Sequence, residues 1–322
     1  MSDKLRWGFI GAGYIATIAL YPALLKSQKG EIYAIGCKDK DRGSLLSPNG
    51  LVYTDYEELI ADPKVEAVYI SLPNSLHIEW SIKAMKAGKH VLCEKPLGMN
   101  AQEVRSAISA AKETGTLFME ASWNRWHPRT IRMKEIIDSG EIGKVRTIRS
   151  AFTYDGLDSS NIRAIPELGG GGVYDLGPYS IAAPLWIMDF APVSDVSTDV
   201  KWHPQGSDET VTSYFTVGTA KAEALTSMNT PSTLYLEVIG EKGSVELLGN
   251  DAFNSHNKES SLKVSVDGLE RVENFEACDP YMLMADAFAD RVKGRDGWLL
   301  PHEQSVAFAE LFDRIFESMG RP

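Results

Sequence analysis

The sequence has few cysteines, no long apolar run and no cluster of basic residues. Among its 322 residues are three cysteines, Cys37, Cys93 and Cys278, and their spacing fits neither a disulfide framework nor a C-x-x-C site. No apolar segment approaches the roughly 20 residues of a membrane-spanning helix. The formal net charge of −11 argues against a surface for nucleic acid or anionic membranes. We therefore expect a cytoplasmic globular protein with reduced thiols. The histidines lack metal-ligand spacing, so we expect no metal.

The stretch from Leu5 to Leu25 predicts a strand, a glycine turn and a helix. An apolar run, Leu5–Ile10, leads into Gly-Ala-Gly-Tyr-Ile-Ala, a G-x-G-x-x-A dinucleotide fingerprint. Gly11 would let the chain turn, Gly13 would admit a pyrophosphate close to the main chain, and Ala16 would let the helix pack on the sheet. The helix N-terminus would hold the phosphates. A glycine turn without a ligand is the alternative. The predicted cofactor residues of this turn are Gly11, Gly13, Tyr14, Ile15 and Ala16.

The end of the second predicted strand, Glu31–Cys37, favours NADP over NAD. NAD-binding units usually place Asp or Glu at this strand end, where it accepts hydrogen bonds from the adenine ribose. Here Cys37 is followed by Lys38, with Arg42 four residues further on, and cations suit the 2′-phosphate of NADP. Asp39 is expected to face solvent or to cap the next helix. NAD is the alternative cofactor, with Lys38 and Arg42 as solvated loop charges.

Strands and helices alternate over residues 1–122. This βαβα pattern predicts an α/β domain with a doubly wound parallel (Rossmann) sheet. Ligands of such sheets bind beyond the carboxyl ends of the strands. Beyond the first two, the predicted strands lie at residues 51–53, 66–72, 89–93 and 117–121. The strand ends and the helix start that follows one of them supply six further predicted cofactor residues: Leu72, Pro73, Asn74, His77, Glu94 and Lys95.

The pattern changes beyond residue 122, and we assign residues 123–322 to a second, α+β domain for substrate binding and dimerisation. Successive β-rich runs from Val193 to Val266 predict a large, mostly antiparallel open sheet. A helix is predicted from the glycine run to about Met188. Pro178 lies within it, and proline is tolerated only in the first turn of a helix, so this helix is expected to start late or to kink. Two helices are predicted to close the chain, Pro280–Val292 and His302–Met319.

Two stretches carry side chains suited to acid–base chemistry. Glu94-Lys95-Pro96 closes a predicted strand, which would bring Lys95 near the nicotinamide end of a cofactor. Four glycines lead to Asp175 and Tyr179, which share a helix face. A nearby ammonium group lowers the pKa of a tyrosine hydroxyl, so Lys95 and Tyr179 would suit the oxidation of a carbinol. A surface lysine and a buried structural tyrosine are the alternatives.

These stretches resemble the glucose-fructose oxidoreductase/inositol dehydrogenase (Gfo/Idh/MocA) family over nearly the whole chain. The resemblance rests on the turn at 11–16, Pro73-Asn74 with His77, Glu94-Lys95-Pro96, and the glycines before Asp175-Leu176-Gly177. Within the family, the sequence resembles the branch of dimeric dihydrodiol dehydrogenases and NADP-dependent D-xylose dehydrogenases. The stretch 119–126 is similar to the E-A-x-W-x-R-F stretch of that branch, and tyrosine stands at 179 where many members carry histidine.

The resemblance implies a role for each matching residue. Lys95 would be the catalytic lysine and Tyr179 the acid/base, while Asp175 would position substrate or support Lys95. Lys38 stands where NADP-using members often carry arginine. The resemblance also implies two cofactor residues, Arg163 and Tyr281. The implied substrate residues are Trp123, Arg125, Tyr154, Asp175 and Tyr179, and core packing is the alternative role for Trp123.

The resemblance implies an NADP-preferring oxidoreductase that transfers hydride between the nicotinamide and a sugar, polyol or trans-diol. Two other functions stay open: a catalytically silent cofactor-binding regulator, and a glycoside hydrolase that uses NAD internally. As partners we expect a small-molecule substrate and a second copy of the chain, and neither nucleic acid nor membrane. The second copy is expected because a bare apolar sheet face would be a liability in a monomer.

Overall fold

The structure is a computed structural model that describes residues 3–47 and 51–320. It divides into two compact units. The first holds the chain up to Trp123 together with Asp279–Ser305, and the second holds Asn124–Cys278 and the chain from Val306 onward. The single predicted boundary at residue 122 did not anticipate that 279–305 returns to the first unit.

The first unit is built on a parallel sheet of six strands within the described residues, in the order β3-β2-β1-β4-β5-β6. This order confirms the predicted doubly wound sheet. Its strands are β1 (Leu5–Ile10), β2 (Gly30–Gly36), β3 (Val52–Tyr53), β4 (Ala67–Ile70), β5 (His90–Cys93) and β6 (Phe118–Glu120). Its first five α-helices are α1 (Tyr21–Lys26), α2 (Lys40–Leu45), α3 (Tyr56–Ala61), α4 (His77–Lys86) and α5 (Ala101–Thr114).

The returning segment packs on this sheet through an apolar helix face. Phe288 belongs to the helix Pro280–Val292 of this segment. Its ring centroid lies 5.3 Å from that of Trp7 on β1, and both side chains are fully buried. Ordinary core packing therefore holds residues 279–305 to the first unit, although the chain passes through the whole second sheet before it returns.

The second unit is built on a sheet of eight strands within the described residues, in the order β14-β13-β12-β11-β7-β10-β9-β8. All neighbouring strands are antiparallel except β7 and β10, which are parallel. The strands are β7 (Val145–Asp155), β8 (Val193–Trp202), β9 (Asp208–Val217), β10 (Ala220–Ser227), β11 (Asn229–Gly240), β12 (Gly243–Leu247), β13 (Ser260–Val266) and β14 (Leu269–Phe275). The remaining α-helices of the chain are α6 (Pro128–Asp138), α7 (Gly172–Ser180), α8 (Ala183–Ile187), α9 (Pro280–Val292) and α10 (His302–Met319). The mostly antiparallel sheet confirms the prediction.

The open face of this sheet is more polar than the sequence pattern led us to expect. Tyr214, Glu223, Arg149 and Glu237 stand opposite one another on successive strands and so share a face. Tyr214 is 45% exposed, and Arg149 and Glu223 are exposed too. The expectation of a bare apolar face was wrong, because charged residues of both signs lie in one row with the aromatic ring.

Helix α7 departs from its predicted start. Proline at position 178 led us to expect a late start or a kink, yet α7 begins at Gly172 and continues through Pro178. Proline removes one N–H donor from the helix. The helical run then breaks after Ser180 and resumes as α8 at Ala183, where one continuous helix was predicted.

The glycines before α7 make room for a buried carboxylate that caps this helix. Asp208 is 1% exposed and accepts a hydrogen bond of 2.7 Å from the Val173 N–H. Gly171 has a φ of +121°, and a Cβ there would lie 2.0 Å from Asp208 Oδ1. A Cβ on Gly170 would lie 2.4 Å from the Arg163 carbonyl oxygen. The glycine run therefore permits tertiary capping of the helix that carries Asp175 and Tyr179.

We predict that Gly171→Ala destabilises the protein by about 3 kcal/mol or more, because strain at positive φ adds to a clash with Asp208. The matched control is Gly156→Ala. Gly156 has a φ of +142°, and no described atom lies within 4 Å of a Cβ placed there, so the control carries only the backbone strain of about 1–3 kcal/mol. Urea unfolding of both variants measures the difference. Equal losses would show that Asp208 does not require the glycine.

Candidate active site

The glycine turn after β1 closes tightly on the end of β4. Gly11 has a φ of +100°, and a Cβ there would lie 3.0 Å from the Ser71 carbonyl oxygen. A Cβ on Gly13 would lie 3.3 Å from the same oxygen. Ala16 is fully buried, whereas Tyr14 is 73% exposed. Gly11 and Gly13 thus keep side-chain atoms out of the turn where the helical run begins, which fits a pyrophosphate. Ile15, half-buried, stays a predicted neighbour of the cofactor.

The end of β2 presents cations and no free acidic group at the predicted ribose position. Cys37 is buried, while Lys38 and Arg42 are exposed. The Asp39 carboxylate caps α2 by accepting a hydrogen bond of 3.1 Å from the Arg42 N–H, which is one of the two roles expected for it. The residues present suit a 2′-phosphate better than a pair of ribose hydroxyls.

His77 ties the segments after β4 and β5 together. Its Nδ1 lies 2.8 Å from the Pro96 carbonyl oxygen, and its Nε2 lies 3.0 Å from the Leu72 carbonyl oxygen. Burial lowers the pKa of His77, and the neighbouring Lys95 ammonium lowers it further. Because both ring nitrogens contact main-chain oxygens, His77 braces the loops. His77 is 1% exposed, and its contact with the cofactor stays a prediction. Asn74 and Pro73 lie in the first of these loops, where Asn74 begins a short 3-10 helix.

Lys95 stands where β5 ends, beside buried carboxylates. Glu94 is 4% exposed, and its Oε1 accepts a hydrogen bond of 2.6 Å from the Tyr69 hydroxyl. Its Oε2 lies 3.3 Å from the Lys95 main-chain N–H. The Lys95-Pro96 peptide bond is cis. Sequence reasoning missed two members of this group, Tyr69 and Glu120. Glu120 stood within the matched stretch 119–126, but that stretch suggested no role for it.

Two aromatic residues assigned to different roles stack on each other in the first unit. Trp123, a predicted substrate residue, and Tyr281, a predicted cofactor residue, have ring centroids 5.1 Å apart and planes inclined by 23°. Both are almost fully buried. The structure therefore brings residue 281 into the unit that holds the dinucleotide turn.

In the second unit, Asp175 is held by two predicted site residues. Arg163 Nε donates a hydrogen bond of 2.6 Å to Asp175 Oδ2, and the Tyr154 hydroxyl lies 3.4 Å from the same oxygen. The Asp175 carboxylate raises the pKa of Arg163, and burial together with Asp175 raises the pKa of Tyr154. Arg163 was predicted to bind cofactor, and the structure shows it as the ion-pair partner of Asp175.

Tyr179 lies on α7 in an aromatic cluster. Its ring centroid is 5.2 Å from that of Phe152 and 6.1 Å from that of Phe253, and the residue is 6% exposed. Electrostatic interaction with Tyr179 raises the pKa of Arg163, so a guanidinium lies near this phenol. Sequence reasoning assigned the neighbouring cation to Lys95 alone.

Arg125, a predicted substrate residue, is held by an aromatic ring in the second unit. Its guanidinium carbon lies 5.1 Å from the ring centroid of Trp186, within cation–π range. Burial lowers the pKa of Arg125, while Asp189 opposes that change.

The sequence of this chain matches the models of two protein-family domains. Residues 5–122 match the model of the oxidoreductase family with an NAD-binding Rossmann fold, and residues 130–246 match the GFO/IDH/MocA C-terminal domain. In the described residues, no helix has both the length and the apolar character needed to cross a membrane. No group of three or more potential metal ligands occurs in that same part of the chain.

Whole-chain relatives agree with both matches. The chain is 35% identical to D-xylose 1-dehydrogenase (NADP(+)) 2 of Haloferax volcanii, over 98% of this chain and 97% of that protein. It is 33% identical to trans-1,2-dihydrobenzene-1,2-diol dehydrogenase of Mus musculus, over 76% of this chain and 74% of that protein. KijD10, a 3-ketoreductase from Actinomadura kijaniata crystallised with NADP and TDP-benzene, superposes with a TM-score of 0.92 at 27% identity, covering 98% of both chains. The chain belongs to the GFO/IDH/MocA oxidoreductase family, as its motifs predicted.

Proposed function

We propose that the protein is an NADP-preferring dehydrogenase or reductase that acts on a carbinol or carbonyl of a sugar, polyol or trans-diol. The observation that carries the proposal is the distribution of chemical groups over the two units. The first places Lys95 at a strand end of the same sheet as the dinucleotide turn, and the second places Tyr179 beside Arg163 and Asp175. The relatives are named for xylose, dihydrodiol and keto substrates, which share this chemistry.

Each residue has a defined task in the proposed oxidation. Bound NADP would supply the hydride acceptor. Tyr179, as phenolate, takes the proton of the substrate hydroxyl while the C–H bond gives up its hydride, and in the reverse direction it returns that proton to the alkoxide. The positive charges of Lys95 and Arg163 stabilise phenolate and alkoxide. Asp175 holds the Arg163 guanidinium in place through their ion pair.

We predict that Lys95→Met and Tyr179→Phe each lower kcat by about 10²–10⁴-fold, because each removes a group that acts on the transferred proton. Affinity for NADPH, measured by fluorescence titration, should stay close to that of the wild type. The control is Lys86→Met, at an exposed position on α4, which should leave kcat unchanged. Full turnover of Lys95→Met with every substrate of the wild type would contradict the assigned roles.

We propose that Lys38 and Arg42 confer the preference for NADP. The double variant Lys38→Ala/Arg42→Ala should raise the KM for NADP by about 10–100-fold, since charge-assisted hydrogen bonds contribute about 1.5–3 kcal/mol. The KM for NAD should hardly change, because NAD lacks the 2′-phosphate. Lys40→Ala, an exposed neighbour, is the control. The KM values are measured in a screen of aldoses, inositols and diols with both cofactors. Equal changes in the KM for NADP and the KM for NAD would refute the assignment.

We propose that the open face of the second unit's sheet joins two copies of the chain. The face carries an exposed ring, Tyr214, in one row with Arg149 and Glu223. A twofold axis would set such a row against its own copy, where opposite charges can pair. Light scattering at micromolar concentration should give the mass of a dimer, and Tyr214→Arg should shift the protein toward monomer. A monomeric wild type would contradict this interface.

A further inference from the structure

A second buried carboxyl lies beside the Glu94-Lys95 segment. Glu120 ends β6, opposite Cys93 of β5, and is 2% exposed. Its Oε1 accepts a hydrogen bond of 3.2 Å from the Leu97 N–H, two residues after Lys95. Its Oε2 is buried and makes no well-formed hydrogen bond within the described residues, although the Ser305 hydroxyl lies close enough to act on the carboxyl. An ionised carboxylate with an unsatisfied oxygen is costly to bury.

Burial favours the protonated form of Glu120 and moves its titration toward neutral pH. Burial raises the pKa of Glu120 to about 7, and the neighbouring Glu94 raises it too. The Ser305 hydroxyl, the Leu97 N–H and the Lys95 ammonium act in the opposite direction. Because the Glu94 and Glu120 carboxyls repel each other when both are ionised, their titrations are coupled. The groups that face the Glu120 carboxyl are Glu94, Lys95, Cys93, Ser305 and the N–H of Leu97.

We propose that Glu120 is a positioning residue for Lys95, a proton-carrying carboxyl that fixes the main chain after Lys95 and tunes the charge Lys95 presents to substrate. The catalytic part of this proposal rests on the function proposed above. These two roles can be tested separately. Fixing the main chain requires only a hydrogen-bond acceptor at Oε1, whereas tuning the charge of Lys95 requires a carboxyl that can lose its proton.

Ionisation of Glu120 should weaken the contribution of Lys95 to oxidation. Above about pH 7 a second negative charge appears beside the ammonium. This charge partly cancels the positive field that stabilises the Tyr179 phenolate. Above pH 7, kcat/KM of the wild type should therefore rise less steeply with pH than kcat/KM of a variant with a neutral residue at position 120.

Glu120→Gln separates the two roles. Glutamine keeps an acceptor for the Leu97 N–H and cannot ionise, and its amide can donate to the buried Glu94. We expect kcat/KM for oxidation to match the wild type below pH 7 and to exceed it by roughly threefold above pH 7. Glu120→Asp retains an ionisable group and should retain the bend in the profile. Glu113→Gln, an exposed position on α5, is the control and should reproduce the wild-type profile.

A readout without turnover distinguishes this proposal from the proposed function. In protein labelled with ¹³C at lysine Cε, the Lys95 resonance is assigned by its loss in Lys95→Met. It should shift with an inflection near pH 7 in the wild type and lose that inflection in Glu120→Gln. If the inflection persists in a folded Glu120→Gln, or is missing from the wild type, the proposal fails. The resonance reports the titration of Glu120 whether or not the enzyme reduces NADP.

The stability of the two proteins provides a second measurement. A carboxyl with a raised pKa in the folded state favours folding at low pH, and this contribution is lost as the pH rises through about 7. The stability of Glu120→Gln relative to the wild type should therefore increase between about pH 5 and pH 8. A difference that stays constant over this range would show that Glu120 is ionised throughout, and would overturn the proposal.

Discussion

The close packing of the Gly11 turn against the Ser71 carbonyl is the contact on which the first unit's chemistry depends. A Cβ at Gly11 would lie 3.0 Å from the Ser71 carbonyl oxygen, so the main chain after β1 lies directly beside the end of β4. Parallel strands then present their carboxyl ends along one edge, so Lys38, Asn74 and Lys95 follow the ends of strands in the same sheet. In the proposed function, the phosphates of NADP and the catalytic lysine both lie at that edge.

In the second unit, glycine likewise permits close packing at the start of α7. Glycine admits the Asp208 carboxylate, which caps the helix, and the helix then carries Asp175 and Tyr179. The Asp175–Arg163 ion pair is partly shielded from solvent, which strengthens it relative to an exposed pair. The Tyr179 phenol therefore packs against aromatic rings of its own unit and lies near the Arg163 guanidinium.

Local signals made much of the fold predictable. The bounds of the helix Pro280–Val292 agree with the prediction, because Asp279 caps this helix and apolar residues recur at helical spacing. The strand Leu269–Phe275 was missed, since its exposed edge position leaves it charged, without an apolar face. The return of 279–305 to the first unit was missed because it depends on contacts such as Phe288 with Trp7.

The candidate site was likewise predictable only in part. Motifs identified the strand ends and the glycine run, since these need particular residues at fixed spacing. The partners of those residues were not predictable, because Arg163 reaches Asp175 across twelve positions and Glu120 reaches Leu97 across twenty-three. Such contacts follow from the path of the chain, and no local pattern encodes them.

The central claim is that Lys95 and Tyr179 act on one substrate oxygen over the nicotinamide. A crystal structure with NADP and a bound polyol tests it most directly. Our account predicts the nucleotide on the Gly11–Ala16 turn, with the Lys95 ammonium and the Tyr179 hydroxyl each about 3 Å from the same substrate oxygen. A nucleotide bound elsewhere, or the two groups too far apart to share that oxygen, would contradict the account.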